Sequence, residues 1–481
     1  MAEITFDTKI ERDLQQRYHQ PSGVEQFGIE PIPAAKKTVK WYDLFAIILN
    51  FLVNPATILR GGLGVAAGLS FKASLTAECC GIVFAACMYV VMATVGVDYG
   101  IPGQVATRAV YGLRGSKLIP SLLRSIASVY WFAFQTVIGA TAIVAVLHNL
   151  TSLSFSLIWV SLAFGILQAF VAVVGYGSLK VLSRIAMPVK LLIFAYLFVL
   201  LANHDDPNFA PSAVLSFAGK SGWNWLIFVA WFNAAAAGWL TMITDSADFC
   251  RYSRTRVDMW VGTVSAAAVG TFLGGALGAY AAAGVLGKAG NPFVIIAGVD
   301  PGWVTSAMML IFVALDNWTI NVLNLYTGGL SISNIFERLG RFWTTLIASV
   351  AGCALSAVPD VLNSYLSYAS MLGNVFSPIA GILVFDYVVL KRTRLDVPSL
   401  FRLNGRYRYW NGFNLVAVAW TVLGFLFYMF AMPTGWIPTL TTVFVTGIGY
   451  TVTALVIARI SRTMALGSAP ADAVPLGAPA E

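Results

Sequence analysis

A tryptophan and a glutamine four residues apart provide the clearest recognition chemistry in this sequence. Trp131 and Gln135 share one face if the stretch is helical, because residues four apart are neighbours on a helix. An indole offers a flat apolar surface, and a side-chain amide both donates and accepts hydrogen bonds. The pair suits a flat heterocycle with a polar edge, and Trp239, next to Gly238, could supply a second ring. The alternative, in which Trp131 only packs and Gln135 only bonds a neighbouring helix, stays open here.

A second group of polar residues interrupts an otherwise apolar stretch near residue 320. Its members are Asp316, Asn317, Thr319, Asn321, Asn324 and Thr327. An Asp at the centre of a membrane helix costs roughly 2.5–3.5 kcal/mol on insertion scales, so such residues usually face a cavity, an ion or a proton path. Asp316 is therefore a candidate for a cation or proton site. The alternative is that it lies near the start of its helix and contacts water.

The composition places both groups in a membrane protein. Of the 481 residues, 58% are hydrophobic and 11% are charged, whereas a soluble domain averages about 45–50% and about 25%. This composition argues against a soluble enzyme, a disordered chain and a disulfide-stapled secreted domain. The five Cys and three His show no metal-ligand spacing, and no cofactor other than a coupling cation is expected.

Apolar runs of the length that a bilayer requires, about 20 residues, occur about twelve times. We number them span 1 to span 12, at roughly 44–68, 73–96, 121–147, 153–176, 184–203, 224–244, 258–285, 302–330, 342–358, 361–390, 413–431 and 437–459. The pattern predicts an all-α integral membrane protein.

The Lys and Arg residues predict the orientation of the spans. With the N-terminus in the cytoplasm, 26 of the 30 basic residues fall in cytoplasmic segments, Arg124 and Lys190 among them. The net charge of +8 is thus a topology signal and not a nucleic-acid surface. We expect a multi-pass protein of the cell membrane with both termini cytoplasmic.

Spans 1 and 6 carry residues that interrupt helices. Pro55 cannot donate a hydrogen bond and disfavours helical geometry at Asn54, and Gly238 lies in a run of small residues. These spans begin two five-helix halves, and broken helices at matching positions predict a substrate site near the bilayer midplane. The alternative is that Pro and Gly only kink these helices.

Five stretches in order make the chain resemble the nucleobase:cation symporter-1 family, which includes cytosine, purine, uracil, allantoin and hydantoin permeases. They are YGIPGQVATRAVYGLRGS (99–116), WFAFQTVIGA (131–140), Gly238-Trp239, NWTINVLNLYTGG (317–329) and SPIAGILVFDYVVLKRTR (377–394). The resemblance implies a leucine-transporter-like fold of two inverted five-helix repeats and two peripheral helices. The expected division is a tail 1–40, repeats 41–203 and 204–390, a basic loop 391–412, peripheral helices 413–459 and a disordered tail 460–481.

The resemblance also implies which residues bind the substrate. A ring would lie between Trp131 and Trp239, with polar contacts to its edge from other residues. Three of these contacts fall on Gln135, Gly238 and Asn54. The contact from span 8 falls on Asn324 if the alignment with the family has a one-residue deletion just before it, and on Asn321 if it has none.

The family's sodium site falls on the carbonyls of Asn50, Val53 and Asp316 and on the Thr319 hydroxyl. The second hydroxyl position of that site holds Ile320 here. The Asp316 carboxylate could replace the missing oxygen and keep sodium, or it could take a proton. The coupling cation is therefore Na⁺ or H⁺.

Together these features predict a secondary active transporter for a planar heterocycle, with cytosine or a purine favoured. Alternatives are a hydantoin, allantoin or uracil permease, an uncoupled facilitator, a channel and, most remote, a membrane-embedded enzyme. We expect a monomer whose partners are the small heterocycle, the cation and the lipid bilayer.

Overall fold

Helices form almost the whole of this protein. The computed structural model describes residues 9–151, 153–358 and 365–467. Within these ranges the backbone forms α-helices and short 3₁₀ or π-helical turns, and β pairing is limited to three isolated bridges. The predicted all-α architecture is confirmed for these residues.

A helix or helix pair lies at each predicted span. The bounds are Trp41–Leu52 with Pro55–Ala66 (span 1), Phe71–Tyr99 (span 2), Leu122–Thr151 (span 3), Leu157–Val174 (span 4), Tyr176–Ala202 (span 5), Trp225–Leu240 with Ser246–Cys250 (span 6), Arg256–Gly284 (span 7), Trp303–Ile335 (span 8), Arg341–Ser356 (span 9), Tyr365–Phe385 (span 10), Leu415–Phe430 (span 11) and Pro438–Gly467 (span 12). By length and apolar composition, eight helices of the described ranges could each cross a membrane, and the bent pair of span 1 makes a ninth. Spans 3, 9 and 11 fall outside that set, so the number twelve stays a prediction.

Span 1 breaks at the predicted position. Pro55, which has no N–H group, takes the first position of the second helix. Asn54 caps that helix, because its Oδ1 accepts a hydrogen bond from the Thr57 backbone N–H at 2.8 Å. The Asn54 amide also donates to the Phe51 carbonyl. The two helices of span 1 meet at an angle of 51°.

Span 6 breaks later than the sequence suggests. Gly238 stays within the helix Trp225–Leu240, and Thr241 is the C-cap residue that follows this helix. A single glycine weakens a helix by only about 1 kcal/mol, and here the Thr241 hydroxyl donates to the Gly238 carbonyl at 2.8 Å. A 3₁₀ turn, Ile243–Asp245, follows, and the short helix Ser246–Cys250 completes the span.

The bounds of two spans correct the sequence interpretation. Arg124 lies inside span 3 and Lys190 near the middle of span 5, both about 1% exposed, so counting them as loop residues was wrong. Span 12 continues as a helix to Gly467, past the predicted start of the disordered tail at 460, and residues 468–481 lie outside the described residues.

Small residues let span 7 approach the broken span 1. A Cβ atom on Gly278 would lie 1.7 Å from the Ile58 carbonyl oxygen, and one on Gly61 would lie 2.2 Å from the Gly275 carbonyl oxygen. Backbones can approach this closely only where side chains are absent, as is common between membrane helices. This contact fixes the second half of span 1, which bears one wall of the cavity described next.

Candidate binding site

A cavity lies where span 1 breaks and where the first helix of span 6 ends. Residues from spans 1, 2, 3, 6 and 8 line it. Six of the seven residues predicted to contact a substrate are among them: Asn54, Trp131, Gln135, Gly238, Trp239 and Asn324. The fold thus gathers in one place side chains that the sequence singled out on separate helices.

The two predicted tryptophans border this cavity from different helices. Trp239 is 3% exposed, and its ring meets Phe51 and Tyr89 edge-on, with centroids 5.7 and 5.6 Å apart. Trp131 is half-buried and meets the Phe134 ring edge-on at 5.8 Å. Such edge contacts fix ring planes, so both indoles are held in place beside the cavity. A stacked ring between them remains a prediction.

Besides Nε of Arg124, two buried polar atoms of the cavity wall have no hydrogen-bond partner within the described part of the chain. They are the Gln135 carbonyl oxygen, Oε1, and the Trp239 indole nitrogen, Nε1. An unpaired buried donor or acceptor costs about 1–3 kcal/mol. One acceptor and one donor are therefore available to a ligand with a polar edge.

The polar residues of span 8 divide between the cavity and the packing of helices. Asn321 does not line the cavity; its Nδ2 donates to Gln168 Oε1 at 2.6 Å and to Thr136 Oγ1 at 3.0 Å. Asn321 therefore ties span 8 to spans 3 and 4. Asn324 does line the cavity and donates to Asn321 Oδ1 at 3.4 Å. Of the two placements that the resemblance left open, this arrangement favours Asn324.

Two arginines of the cavity wall were missed by the sequence reasoning. Arg124 lies two helical turns before Trp131 and forms a 2.8 Å ion pair with Asp245 of span 6. Arg60 of span 1 forms a 3.0 Å ion pair with Glu78 of span 2. The spacing of Arg124 and Trp131 places them on one face of a helix, and that signal could have identified Arg124.

A lysine contacts the predicted cation site between spans 1 and 8. The Lys190 ammonium group donates to the Asn50 carbonyl and to Asp316 Oδ1, both at 2.7 Å. The Thr319 hydroxyl donates to the Asp316 carbonyl at 2.9 Å. Val53 lies beside Lys190 in a small crevice between spans 1 and 5.

These residues do not fit a sodium ion. Two of the oxygen-bearing groups that would surround the ion already accept hydrogen bonds from an ammonium group, and Ile320 supplies no side-chain oxygen. No cluster of three His, Cys, Asp or Glu residues that could hold a metal ion occurs in the described ranges.

The N-terminal segment covers the end of the helix bundle that we call the tail face. Residues 20–32 contact spans 4, 5, 8 and 9 there, and also the residues that directly follow spans 2 and 6. Glu25 is buried there, and its carboxylate accepts hydrogen bonds from Arg251 at 2.8 Å and Tyr252 at 2.5 Å. Arg341 lies 3.3 Å away on the other side of the carboxylate. Burial alone would raise the pKa of Glu25, but Arg341 and Arg251 outweigh it and hold that pKa below its usual value.

A family model described as "Permease for cytosine/purines, uracil, thiamine, allantoin" matches residues 31–453. The chain belongs to this family. It is 27% identical to the hydantoin permease of Microbacterium maritypicum over 412 residues, with 81% of each chain covered. It is 25% identical to the allantoin permease of Bacillus subtilis over 473 residues, which cover 87% of this chain and 89% of that one.

A solved structure of similar fold is that of Mhp1, a nucleobase-cation-symport-1 family transporter, in a closed conformation with bromovinylhydantoin bound. The TM-score is 0.76 at 23% identity, with 89% of this chain and 95% of Mhp1 covered. The leucine-transporter-like fold is confirmed, and the chain is a multi-pass membrane transporter and not an enzyme.

Proposed function

We propose that this protein takes up a planar nucleobase-like heterocycle by secondary active transport, through alternating access to the cavity between spans 1, 3, 6 and 8. The observation that supports this proposal most strongly is that aromatic rings and unpaired polar atoms occur together in that cavity. Two fixed indoles border it, and an unpaired amide oxygen and an unpaired indole N–H lie in its wall. Flat aromatic faces and a few placed polar groups are what a heterocycle site requires.

Recognition would divide between the faces and the edge of the ring. The rings of Trp131 and Trp239 would stack on the substrate, and Gln135 Oε1 would accept a hydrogen bond from a ring N–H. Asn324 and Gly238 would contact the same edge. Asn54 would contribute less, because its side chain already caps the second helix of span 1.

The amide-like edge read by these residues is shared by several heterocycles. Cytosine or a purine is the favoured substrate, on the resemblance of the NLYTGG stretch at 324–329 to permeases of that type. Hydantoin, allantoin and uracil are the alternatives, supported by the WFAFQ stretch at 131–135 and by the names of the relatives.

The proposal includes coupling to a cation gradient. Because Lys190 already donates to Asn50 and Asp316 at the predicted sodium site, H⁺ is the favoured candidate and Na⁺ would have to bind elsewhere; an uncoupled facilitator is the alternative. If coupling holds, cation and substrate must raise each other's affinity by the same factor. The tail face would lie in the cytoplasm, as the basic residues of the short loops predict. The protein would act as a monomer in the cell membrane.

Uptake into proteoliposomes tests this proposal. Radiolabelled cytosine, hypoxanthine, uracil, allantoin and hydantoin would be presented with an imposed Na⁺ gradient, an imposed proton gradient, or neither. We expect saturable accumulation of at least one compound above the external concentration, abolished when ionophores collapse the driving gradient. Uptake that never saturates would indicate a channel, and no uptake of any compound would contradict the proposal.

A matched pair of variants separates binding from folding. Gln135→Leu keeps the size of the side chain but removes the unpaired oxygen, and we expect uptake to fall by at least tenfold. Gln16→Leu changes an exposed glutamine of the N-terminal segment and should leave uptake unchanged. Equal uptake by both variants would argue against a role of Gln135.

A further inference from the structure

We infer that the ammonium group of Lys190 is a built-in cation that takes the place of a sodium ion between spans 1 and 8. Lys190 extends from span 5, and its Nζ lies 2.7 Å from both the Asn50 carbonyl oxygen and Asp316 Oδ1. These atoms belong to two of the residues on which the family's sodium site falls. The ammonium group thus occupies the position between the break of span 1 and span 8 that a bound cation would occupy.

The ammonium group of Lys190 is buried and enclosed by protein groups that hold it in place. The Lys190 side chain is 2% exposed and that of Asp316 is 0% exposed. The Phe312 ring covers the ammonium group, with its centroid 5.6 Å from Nζ, and a cation over an aromatic face is attracted to it. The lysine therefore has a carboxylate, a carbonyl and an aromatic ring as partners, all shielded from water.

A sodium ion has no comparable place beside Lys190. Two positive charges a few ångströms apart in a poorly screened site repel each other strongly. In addition, Ile320 provides no side-chain oxygen and instead lines the substrate cavity. The lysine supplies the positive charge that bridges spans 1, 5 and 8, so folding and substrate binding should not depend on sodium.

Thermal unfolding of the purified full-length protein tests this inference with sodium as the only probe. Melting temperatures would be compared in NaCl, KCl and choline chloride at equal ionic strength. Wild-type protein should melt at the same temperature in all three salts. Lys190→Met removes the charge at similar side-chain length and leaves the Asp316 carboxylate without its cationic partner, so sodium should now raise the melting temperature by about 2 °C or more.

Two further variants serve as controls. The double variant Lys190→Met with Asp316→Asn lacks the carboxylate that would hold the ion and should lose the sodium response. Lys180→Met removes another lysine of span 5, whose ammonium group lies 3.0 Å from the Asp43 carboxylate and not at this site. Like the wild type, this variant should melt at the same temperature in all three salts. If Lys190→Met yields no folded protein, the wild-type comparison alone decides the inference.

Two results would overturn the inference. One is a sodium-specific stabilisation of the wild-type protein, and the other is a folded Lys190→Met variant that does not respond to sodium. A substrate assay extends the test and rests on the proposed function: a heterocycle found in the uptake panel should bind wild-type protein with the same affinity, within twofold, in NaCl and in choline chloride. If no compound of the uptake panel is transported, that result would contradict the proposed function, but the melting experiment would still decide the role of Lys190.

Discussion

Replacing Glu25 with alanine should open the tail face of this transporter. The Glu25 carboxylate is held by Arg251 at 2.8 Å, by Tyr252 at 2.5 Å and, on its other oxygen, by the Tyr176 backbone N–H at 2.8 Å. Its removal leaves Arg251 and Arg341, both buried, without this partner. Loss of one partner from a buried ion pair costs about 3–5 kcal/mol. At about 1.4 kcal/mol for each factor of ten, the equilibrium constant that favours the closed over the open tail face should fall by roughly two to four orders of magnitude.

Cys250 offers a natural reporter of this opening. It lies beside Arg251 in the short helix that ends span 6 and is 0% exposed. In a background that lacks the other four cysteines, maleimide labelling of Cys250 should be at least tenfold faster in Glu25→Ala than in the parent. Asp13→Asn, which changes an exposed carboxylate of the same N-terminal segment, is the matched control and should label at the parental rate. Equal rates in a folded Glu25→Ala variant would refute the reasoning.

The pKa of Glu25 predicts how this closure depends on pH. Because Arg341 and Arg251 hold the pKa of Glu25 below its usual value, its stabilising contribution is present above the unfolded pKa, about 4.3, and is lost as pH falls through the folded pKa. The ratio of labelling rates between Glu25→Ala and parent should therefore stay constant from about pH 8 to about pH 6. A parent that opens within this range would contradict the assignment.

Three further sets of variants test the cavity wall and its support. Arg124→Met and Asp245→Asn should each reduce the yield of folded protein, and the double variant should recover part of it, since the pair is buried; additive losses in thermal melts would argue against the pair. Asn324→Ala should weaken substrate affinity at near-normal stability, whereas Asn321→Ala should lower the melting temperature first; the reverse order would contradict the division made for span 8. Gly278→Ala should abolish folding, because its Cβ would lie 1.7 Å from a carbonyl oxygen, and normal yield on size-exclusion chromatography would contradict that contact.

Local chemistry explains which parts of the fold could be predicted from the sequence. Pro55 lacks an N–H wherever it lies, so the break at Asn54 follows from two adjacent residues. Gly238 only permits a break, and the helix continues through it to Leu240, since a single glycine costs a helix only about 1 kcal/mol. Among the six cavity residues, the amides of Asn54, Gln135 and Asn324 stand out because polar side chains are costly in apolar helices. Trp131, Gly238 and Trp239 were singled out by their spacing and by the family resemblance.

The remaining parts depend on contacts between distant segments. Lys190 was counted with the loops, because a basic residue within an apolar run carries no local sign of its partner, and only the packing of span 5 brings it to Asp316. Asn321 and Asn324 lie three residues apart, and only the position of Gln168 shows which of them faces another helix. The burial of Glu25 under the tail face could not be foreseen from a polar N-terminal segment.

The central claim is that a flat ring binds between Trp131 and Trp239, and equilibrium binding of a transported heterocycle to tryptophan variants tests it most directly. Stacking on an aromatic side chain is worth about 1–3 kcal/mol by alanine substitution, which corresponds to roughly a 5- to 150-fold change in Kd. Trp131→Ala and Trp239→Ala should each raise the Kd within this range, the Phe variants should raise it less, and Trp159→Ala, at an indole 72% exposed on span 4, should leave it unchanged. A Kd for folded Trp131→Ala equal to that of the wild type would contradict the claim.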